Sequence, residues 1–331
     1  MKAIMHEGKA GIDGVSLKEI SEQELKPYDV KIKMMVAGMN RRDLYVPYRH
    51  KENEPAIILG SDGAGIIEAV GEKVTKWQVG DEVIVNPSIG WKNKSDVPPE
   101  GFEIVGLPFD GTFSEYTFFH EEQIERKPHY LTWEEAGVLS LAALTAYRAL
   151  FTRGKLKSGD TVMLPGIGSG ALTFALKFAK AVGARVIVTS RSEEKLQKAI
   201  ERGADVALLT NSNWNEQLKG ESVDLLIETI GKATFNKSLD IVRKGGTIVT
   251  FGATTEDKVE IDIRKFFYAQ QNILGSTMGS TEELREMLSF IEEHSIRPEI
   301  DKTFNLNDYK QAFTYLNDSQ NFGKIGFKLN D

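Results

Sequence analysis

Residues 161–171 constrain this chain more than any other stretch. A short apolar run, Thr161-Val162-Met163-Leu164, enters Pro165-Gly166-Ile167-Gly168-Ser169-Gly170-Ala171, and an apolar-patterned helix is expected behind it over 170–182, ending near Gly183. Gly166, Gly168 and Ala171 fit the pattern G-x-G-x-x-G/A. That pattern answers three physical demands: a tight turn, close approach of backbone to a pyrophosphate, and a helix packed near its strand. The helix start then offers unpaired N–H groups to phosphate oxygens. A glycine triad alone is a weak signal, and the strand before it and helix after it supply the context it needs. Gly166, Gly168, Ser169, Gly170 and Ala171 are therefore read as cofactor-binding.

The elements that follow support this reading. Strands are expected at 185–189, 205–209, 225–228 and 247–251, with a helix over 192–202 closed by Gly203. Strands alternating with helices imply a doubly wound parallel sheet, an α/β Rossmann domain. A chain built for NAD carries an acidic residue at the tip of the second strand, on the ribose hydroxyls. Here that tip reads Val188-Thr189-Ser190-Arg191-Ser192, with Lys195 one helical turn on and no carboxylate. Ser190, Arg191 and Lys195 suit a 2′-phosphate. One charge-assisted hydrogen bond of this kind contributes about 1.5–3 kcal/mol, roughly tenfold to a hundredfold in affinity. A solvated helix start is the other reading of the two cations, but positive charge there opposes the helix dipole. The expected cofactor is NADPH.

A length of 331 residues allows about two domains. Residues 1–125 read as β-rich, with strand-like runs at 30–36, 65–70, 82–86 and 112–118 separated by turn signals. Gly60, Gly63, Gly65 and Gly71 fall close together, which suits a tightly curved barrel. Residues 86–112 read as one long loop, of a functional or mobile kind. Thr132-Trp133-Glu134-Glu135 has the capping-box pattern, and a helix is expected through Arg148. Helices at 282–294 and 307–316 and a strand at 325–329 close the chain.

Composition excludes several chemistries. With no cysteine, thiolate zinc sites, iron–sulfur clusters, disulfides and a cysteine nucleophile are ruled out. A net charge of −7 without a basic tract argues against a nucleic-acid partner. Charge interrupts the opening at Lys2, His6 and Glu7, unlike a signal peptide, and no run of about 18 apolar residues occurs. A cytoplasmic protein with no membrane partner is expected.

Further motifs span nearly the whole chain. They are Gly38-Met39-Asn40-Arg41-Arg42-Asp43-Leu44, Leu59-Gly60-Ser61-Asp62-Gly63-Ala64-Gly65 with Val70-Gly71, Val79-Gly80-Asp81-Glu82-Val83, Leu144-Thr145-Ala146-Tyr147 and Gly323-Lys324-Ile325. In these the sequence resembles the medium-chain dehydrogenase/reductase superfamily, on its quinone-oxidoreductase side, and is similar to bacterial proteins called zinc-type alcohol dehydrogenase-like. It departs at the metal. Where zinc members have Cys-His, this chain has Asn40-Arg41; where they have Gly-His-Glu it has Gly60-Ser61-Asp62; and Leu141 stands for a further cysteine. Asp62 alone falls short of the three protein ligands a catalytic zinc needs, so no metal is expected.

The resemblance implies a discontinuous GroES-like β-barrel domain, 1–125 with 270–331, and an inserted nucleotide domain, 126–269, with nicotinamide and substrate in the cleft between them. It also implies a homodimer or homotetramer paired along the edge of the nucleotide-binding sheet, for which residues 259–263 are the candidate edge. Asn40 resembles the family's asparagine near nicotinamide and substrate, and Thr145 the residue beneath the nicotinamide. Thr229, Gly231, Phe251, Gly252, Ser276 and Thr277 lie where the family lines the cofactor, and Lys324 where it reaches the cofactor. Tyr45, like Tyr48, resembles the tyrosine of mitochondrial-type enoyl thioester reductases. Each also has a plain reading: Asn40 a strand-end amide, Thr145 a helix threonine bonded to its own backbone, the tyrosines aromatic cover. Arg41, Arg42, Arg49 and His50 read either as a cationic cluster for an acidic substrate or as a solvated loop face. Thr210 stands where many relatives place a tyrosine against the 2′-phosphate.

Without a metal to polarise it, a plain alcohol is a poor substrate. A quinone or α,β-unsaturated carbonyl stabilises incoming hydride itself and asks the protein for orientation and hydrogen-bond donors. The expected function is a zinc-independent, NADPH-dependent reductase of such an acceptor, with Asn40, Tyr45 and Thr145 as catalytic candidates. The alternatives are an enoyl thioester reductase and, in another class, an NADPH-binding sensor or structural protein without turnover.

Overall fold

The strand Asp29–Met39 organises the first part of the molecule, which a computed structural model describes over residues 1–330. Its alternate residues Val30, Ile32, Met34 and Val36 are buried, the period-2 pattern of a strand with one face in a core. On one side it pairs antiparallel with Asp62–Val70, and along its length with Tyr116–His120 and Lys324–Lys328. Glu82–Val85 and Ile124–Arg126 extend the sheet beyond Asp62–Val70, and Ile300–Asn305 extends it beyond Lys324–Lys328, giving seven strands. Val30, Ile32, Met34, Ile67, Val83, Val85, Val105 and Phe119 fill the interior. The sheet curves tightly enough that a Cβ at Gly65 would lie 2.2 Å from the Lys33 carbonyl oxygen.

Lys2–His6, Val15–Glu19 and Ile57–Ile58 form a second, three-stranded sheet. The stretch read as one loop contains a small hairpin, Ser88–Ile89 with Glu103–Ile104. It is fixed by the buried Trp91 and by amides of Thr281 and Glu282 bonding back to the Trp91 and Lys92 carbonyls. The expected strand at 112–118 begins later, at Tyr116, because Thr112 and Phe113 are turned onto the Gly60 and Leu59 carbonyls.

The second unit is built on a six-stranded parallel sheet. Its order in space is Val206–Leu209, Arg185–Ser190, Thr161–Pro165, Val223–Glu228, Val242–Thr250, Asn272–Gly275. The chain thus steps outward in one direction, returns to the centre and steps outward in the other, the doubly wound order with its switch between the first and fourth strands of the unit. Helices Gly170–Ala181 and Glu193–Glu201 stand at the expected positions, the first with Leu172, Phe174, Ala175, Leu176 and Phe178 buried.

The two compact units are Met1–Ala142 with the segment from Gly279 onward, and Ala143–Met278. Both boundaries lie later than the expected 125/126 and 269/270. Residues up to 142 stay with the first unit because Gly137 lies against Val36 and the Leu141 amide is held by Asp62. At the other boundary, Asn272–Gly275 is a sheet strand of the second unit. The helix expected through Arg148 is broken at 138–139 into Trp133–Gly137 and Ser140–Tyr147. The run 259–263 is not the sheet edge. Asp262 caps the helix Ile263–Ala269 by accepting from the Lys265 amide at 3.0 Å, and the sheet's two edge strands are Val206–Leu209 and Asn272–Gly275. Among the described residues no helix is long and apolar enough to cross a membrane.

Candidate active site

In the second unit the candidate residues converge on the carboxyl ends of the parallel strands, where ligands bind in sheets of this kind. Gly166 follows the strand ending at Pro165, Arg191 the one ending at Ser190, Thr229 the one ending at Glu228, Phe251 the one ending at Thr250, and Ser276 the one ending at Gly275. The glycine loop has the conformation its sequence demands: Gly166 has φ +83° and Gly168 φ +122°, a region costly for any residue with a Cβ. The amides of Gly166 and Ile167 both bond to the Thr189 carbonyl, at 2.9 and 2.7 Å, which ties the loop to the neighbouring strand. Ser169 caps the helix, accepting from the Leu172 amide at 3.4 Å. The amides of Gly170 and Ala171 are ones that a helix leaves without intrahelical partners. A pyrophosphate fits this cradle.

At the second strand's tip, Ser190 is buried and accepts from the Ser192 amide at 3.2 Å, while Arg191 is exposed. Ser192 caps the next helix through the Lys195 amide. Thr210 turns its hydroxyl inward, 3.2 Å from Thr189 Oγ1, and Trp214 is buried with its Nε1 donating to the Leu209 carbonyl. Thr145 is buried, on the helix Ser140–Tyr147.

One residue here went unnoticed in the sequence. Glu228 is fully buried, and its Oε1 accepts from the amides of Ile230 at 2.8 Å and Gly231 at 3.2 Å. The Thr234 hydroxyl donates to the same carboxylate, and the Ser238 hydroxyl donates to its Oε2 at 2.6 Å. This carboxylate shapes the loop Thr229-Ile230-Gly231 from beneath. An acid closing an apolar strand, with T-I-G behind it, was the available signal.

In the first unit Asn40 directly follows the central strand and lies in a buried polar cluster. Its Nδ2 donates to Asp62 Oδ2 at 2.9 Å, and its Oδ1 accepts from Lys324 Nζ at 2.6 Å. Lys324 Nζ also donates to the Met39 carbonyl at 2.8 Å and to Asp62 Oδ2 at 3.2 Å. The other Asp62 oxygen accepts from the Leu141 amide at 2.6 Å. Asp43 receives the Asn40 amide at 2.7 Å, and burial pushes its carboxyl up to about 6. Lys324, expected at the cofactor, thus has its three ammonium hydrogens committed inside this cluster, 3% exposed.

Tyr45 is half-exposed at 44% and Tyr48 is exposed, its ring lying over Gly11. The arginines do not form an anion site together. Arg41 Nη1 donates to the Leu316 carbonyl at 2.7 Å and Ser319 Oγ at 3.1 Å, closing the end of the helix Tyr309–Asn317. Arg42 is spent on Ser61 Oγ and the Val105 carbonyl, and burial lowers its guanidinium's pKa. His50 turns inward onto His6, Nδ1 to Nδ1 at 2.7 Å.

Zinc does not fit this cluster. A guanidinium and an amide stand at Arg41 and Asn40, and Asp62 already carries an ammonium. Among the described residues no group of three or more His, Cys, Asp or Glu is placed to hold a metal ion.

Comparison with known proteins agrees with this architecture. The family described as Alcohol dehydrogenase GroES-like domain matches residues 26–129, and that described as Zinc-binding dehydrogenase matches residues 166–293. A zinc-type alcohol dehydrogenase-like protein of Schizosaccharomyces pombe is 33% identical, over 99% of each chain. The chain belongs to the medium-chain dehydrogenase/reductase superfamily. Within it, a crotonyl-CoA reductase of Streptomyces collinus is 28% identical over 94% of this chain and 81% of its own. A solved NAD-dependent alcohol dehydrogenase superposes with a TM-score of 0.93 at 29% identity, over the full length of both. This medium-chain dehydrogenase/reductase protein is accordingly an oxidoreductase, of a family built around a nicotinamide cofactor, and it carries the GroES-like and Rossmann domains that its sequence implied.

Proposed function

We propose that the protein is a zinc-independent, NADPH-dependent reductase that acts on a quinone or an α,β-unsaturated carbonyl compound. The observation that carries this reading is the Asn40 cluster: where zinc relatives hold a Lewis acid, this chain holds a neutral amide clamped between an ammonium and a carboxylate. NADPH, when bound, supplies a hydride. Gly166, Gly168, Ser169, Gly170 and Ala171 hold its pyrophosphate, and Ser190, Arg191 and Lys195 its 2′-phosphate. Thr229, Gly231, Phe251, Gly252, Ser276 and Thr277 border the same strand ends, and Thr145 supports the nicotinamide. Asn40 donates its remaining Nδ2–H to the acceptor's carbonyl oxygen, stabilising the negative charge that develops there. Tyr45, exposed at the start of the helix Val46–Arg49, is the candidate proton donor.

A second reading, an enoyl thioester reductase, draws on the Streptomyces relative named crotonyl-CoA reductase. It involves the same chemistry at the same amide. The basic entrance it would use is not supplied by Arg41 and Arg42, whose guanidinium groups are engaged internally. We also propose a homodimer, the base unit of any homotetramer. It would pair through the open edge of Asn272–Gly275, beside which Ile263, Phe267 and Tyr268 expose apolar surface at 60, 47 and 70%. Light scattering of the wild type and Tyr268→Glu tests this: a dimer that the substitution dissociates is expected, and a wild-type monomer contradicts it.

The acceptor is tested by following nicotinamide absorbance with 9,10-phenanthrenequinone, a simple enone and crotonyl-CoA, each with NADPH and with NADH. Faster oxidation of NADPH with the quinone or enone is expected. Turnover confined to crotonyl-CoA moves the assignment to thioesters. Tight NADPH binding without any turnover favours a sensor.

A further inference from the structure

Lys324, expected at the cofactor, has its ammonium bonded to Asn40, Asp62 and the Met39 carbonyl. We propose that it is a positioning residue for Asn40. With Asp62 it locks the carboxamide in one orientation, leaving a single Nδ2–H directed at the substrate's carbonyl oxygen. This rests on the reductase reading above.

Donors and acceptors around the carboxamide fix its orientation. An ammonium has only donors and a carboxylate only acceptors. Lys324 Nζ faces Asn40 Oδ1 at 2.6 Å, and Asp62 Oδ2 faces Asn40 Nδ2 at 2.9 Å. Rotating the amide by half a turn would set N–H against N–H and oxygen against oxygen, so the charges dictate which way it points. An ammonium on the carbonyl oxygen also draws electron density from the amide and strengthens the remaining N–H as a donor. The Met39 carbonyl and Asp62 take the other two ammonium hydrogens, and the Leu141 amide fixes Asp62 from its far side. Each member is therefore held by a partner that is itself held.

The alternative use of a lysine here is a contact to the cofactor's phosphates. It would require Lys324, 3% exposed, to abandon one of these bonds. The arrangement is also an unusual way to hold a fold together. A buried ion pair is often replaceable by apolar side chains without loss of stability. Orienting and polarising Asn40 gives this pair a use that apolar side chains would not serve.

Lys324→Met leaves Asp62 buried without its cation and risks unfolding, so the double variant Asp62→Asn/Lys324→Met, which removes both charges, is measured beside it. Three readouts are taken: NADPH affinity by nicotinamide fluorescence, kcat against KM, and the Asn40 side-chain amide resonances in protein labelled with 15N-asparagine, assigned with Asn40→Asp. Positioning predicts NADPH affinity within about twofold of wild type and kcat about 100-fold lower, the scale of loss from a misplaced catalytic group. It also predicts displaced, faster-exchanging Asn40 amide resonances in each variant that folds. A rise of about tenfold or more in the NADPH dissociation constant with kcat unchanged would make Lys324 a phosphate ligand and overturn the proposal. Unmoved Asn40 resonances would overturn it as well. If wild-type protein turns over no acceptor, the reductase reading fails on its own, while the resonances still decide whether Lys324 holds the amide.

Discussion

Asp62 and Glu228 are both fully buried carboxylates, and they are satisfied in opposite ways. Asp62, in the first unit, is paired with an ammonium and gives its remaining capacity to an amide side chain and one backbone N–H. Glu228, in the second, has four hydrogen-bonding partners, all neutral: two backbone amides and two hydroxyls. In the second unit the carboxylate shapes a loop beside the dinucleotide turn. In the first, charge is set against charge around the Asn40 carboxamide, the side chain proposed to meet the acceptor's carbonyl. Neutral donors suffice to hold a backbone; on the proposed reading, orienting the Asn40 amide calls for charge.

The contrast is broken most directly at its centre. Asn40→Ala removes the donor proposed for the substrate and is expected to lower kcat about 100- to 1000-fold, the loss seen when a single oxyanion donor is deleted, with NADPH affinity unchanged by fluorescence titration. Glu228→Ala strands two amides and two hydroxyls in a buried site and should cost about 3 kcal/mol or more, read from chemical denaturation. Glu228→Gln keeps an acceptor and should recover most of that stability with near-normal kcat. The equivalent change at Asp62, Asp62→Asn, should lower kcat, because there the charge itself is used. Equal effects of the two amide substitutions would erase the distinction.

A third prediction concerns pH. Burial raises the Asp43 carboxyl to about 6 from 3.8, so between those values the folded chain holds a proton that the unfolded chain has released. The resulting stability is present below about 3.8 and lost as pH rises through about 6, a change of about 3 kcal/mol. Subtracting the denaturation profile of Asp43→Asn from that of the wild type should reveal this slope; a flat difference would mean that Asp43 is not buried as described. The smallest effect is expected at the exposed Arg191. Arg191→Ala should weaken NADPH about tenfold to a hundredfold and leave NADH nearly unchanged. Parallel losses for both cofactors would remove the 2′-phosphate assignment.

What was legible in the sequence was local. The dinucleotide loop is seven contiguous residues whose strand, turn and helix each leave a mark on composition, and the structure places Gly166 and Gly168 at positive φ as that pattern requires. The parallel sheet followed from the alternation of short elements. The first unit's cluster was legible only in pieces. Asn40 and Lys324 lie 284 positions apart, and neither neighbourhood signals that an ammonium meets an amide. For the same reason Arg41, Arg42 and His50 read as a cluster because they are neighbours in sequence, although each turns to a different distant partner. Glu228 was missed because a capped loop end and an ordinary acidic strand end look alike until the donors around them are known. The edge expected at 259–263 failed because Asp262 starts a helix there.

A reductase that works through Asn40, as proposed, needs no metal for turnover. The most direct test is the rate of NADPH oxidation with an enone acceptor by protein stripped with a chelator, its metal content verified by mass spectrometry. An unchanged kcat after stripping, and no gain on adding zinc, is the predicted result. Loss of activity on chelation, restored by stoichiometric zinc, would contradict it.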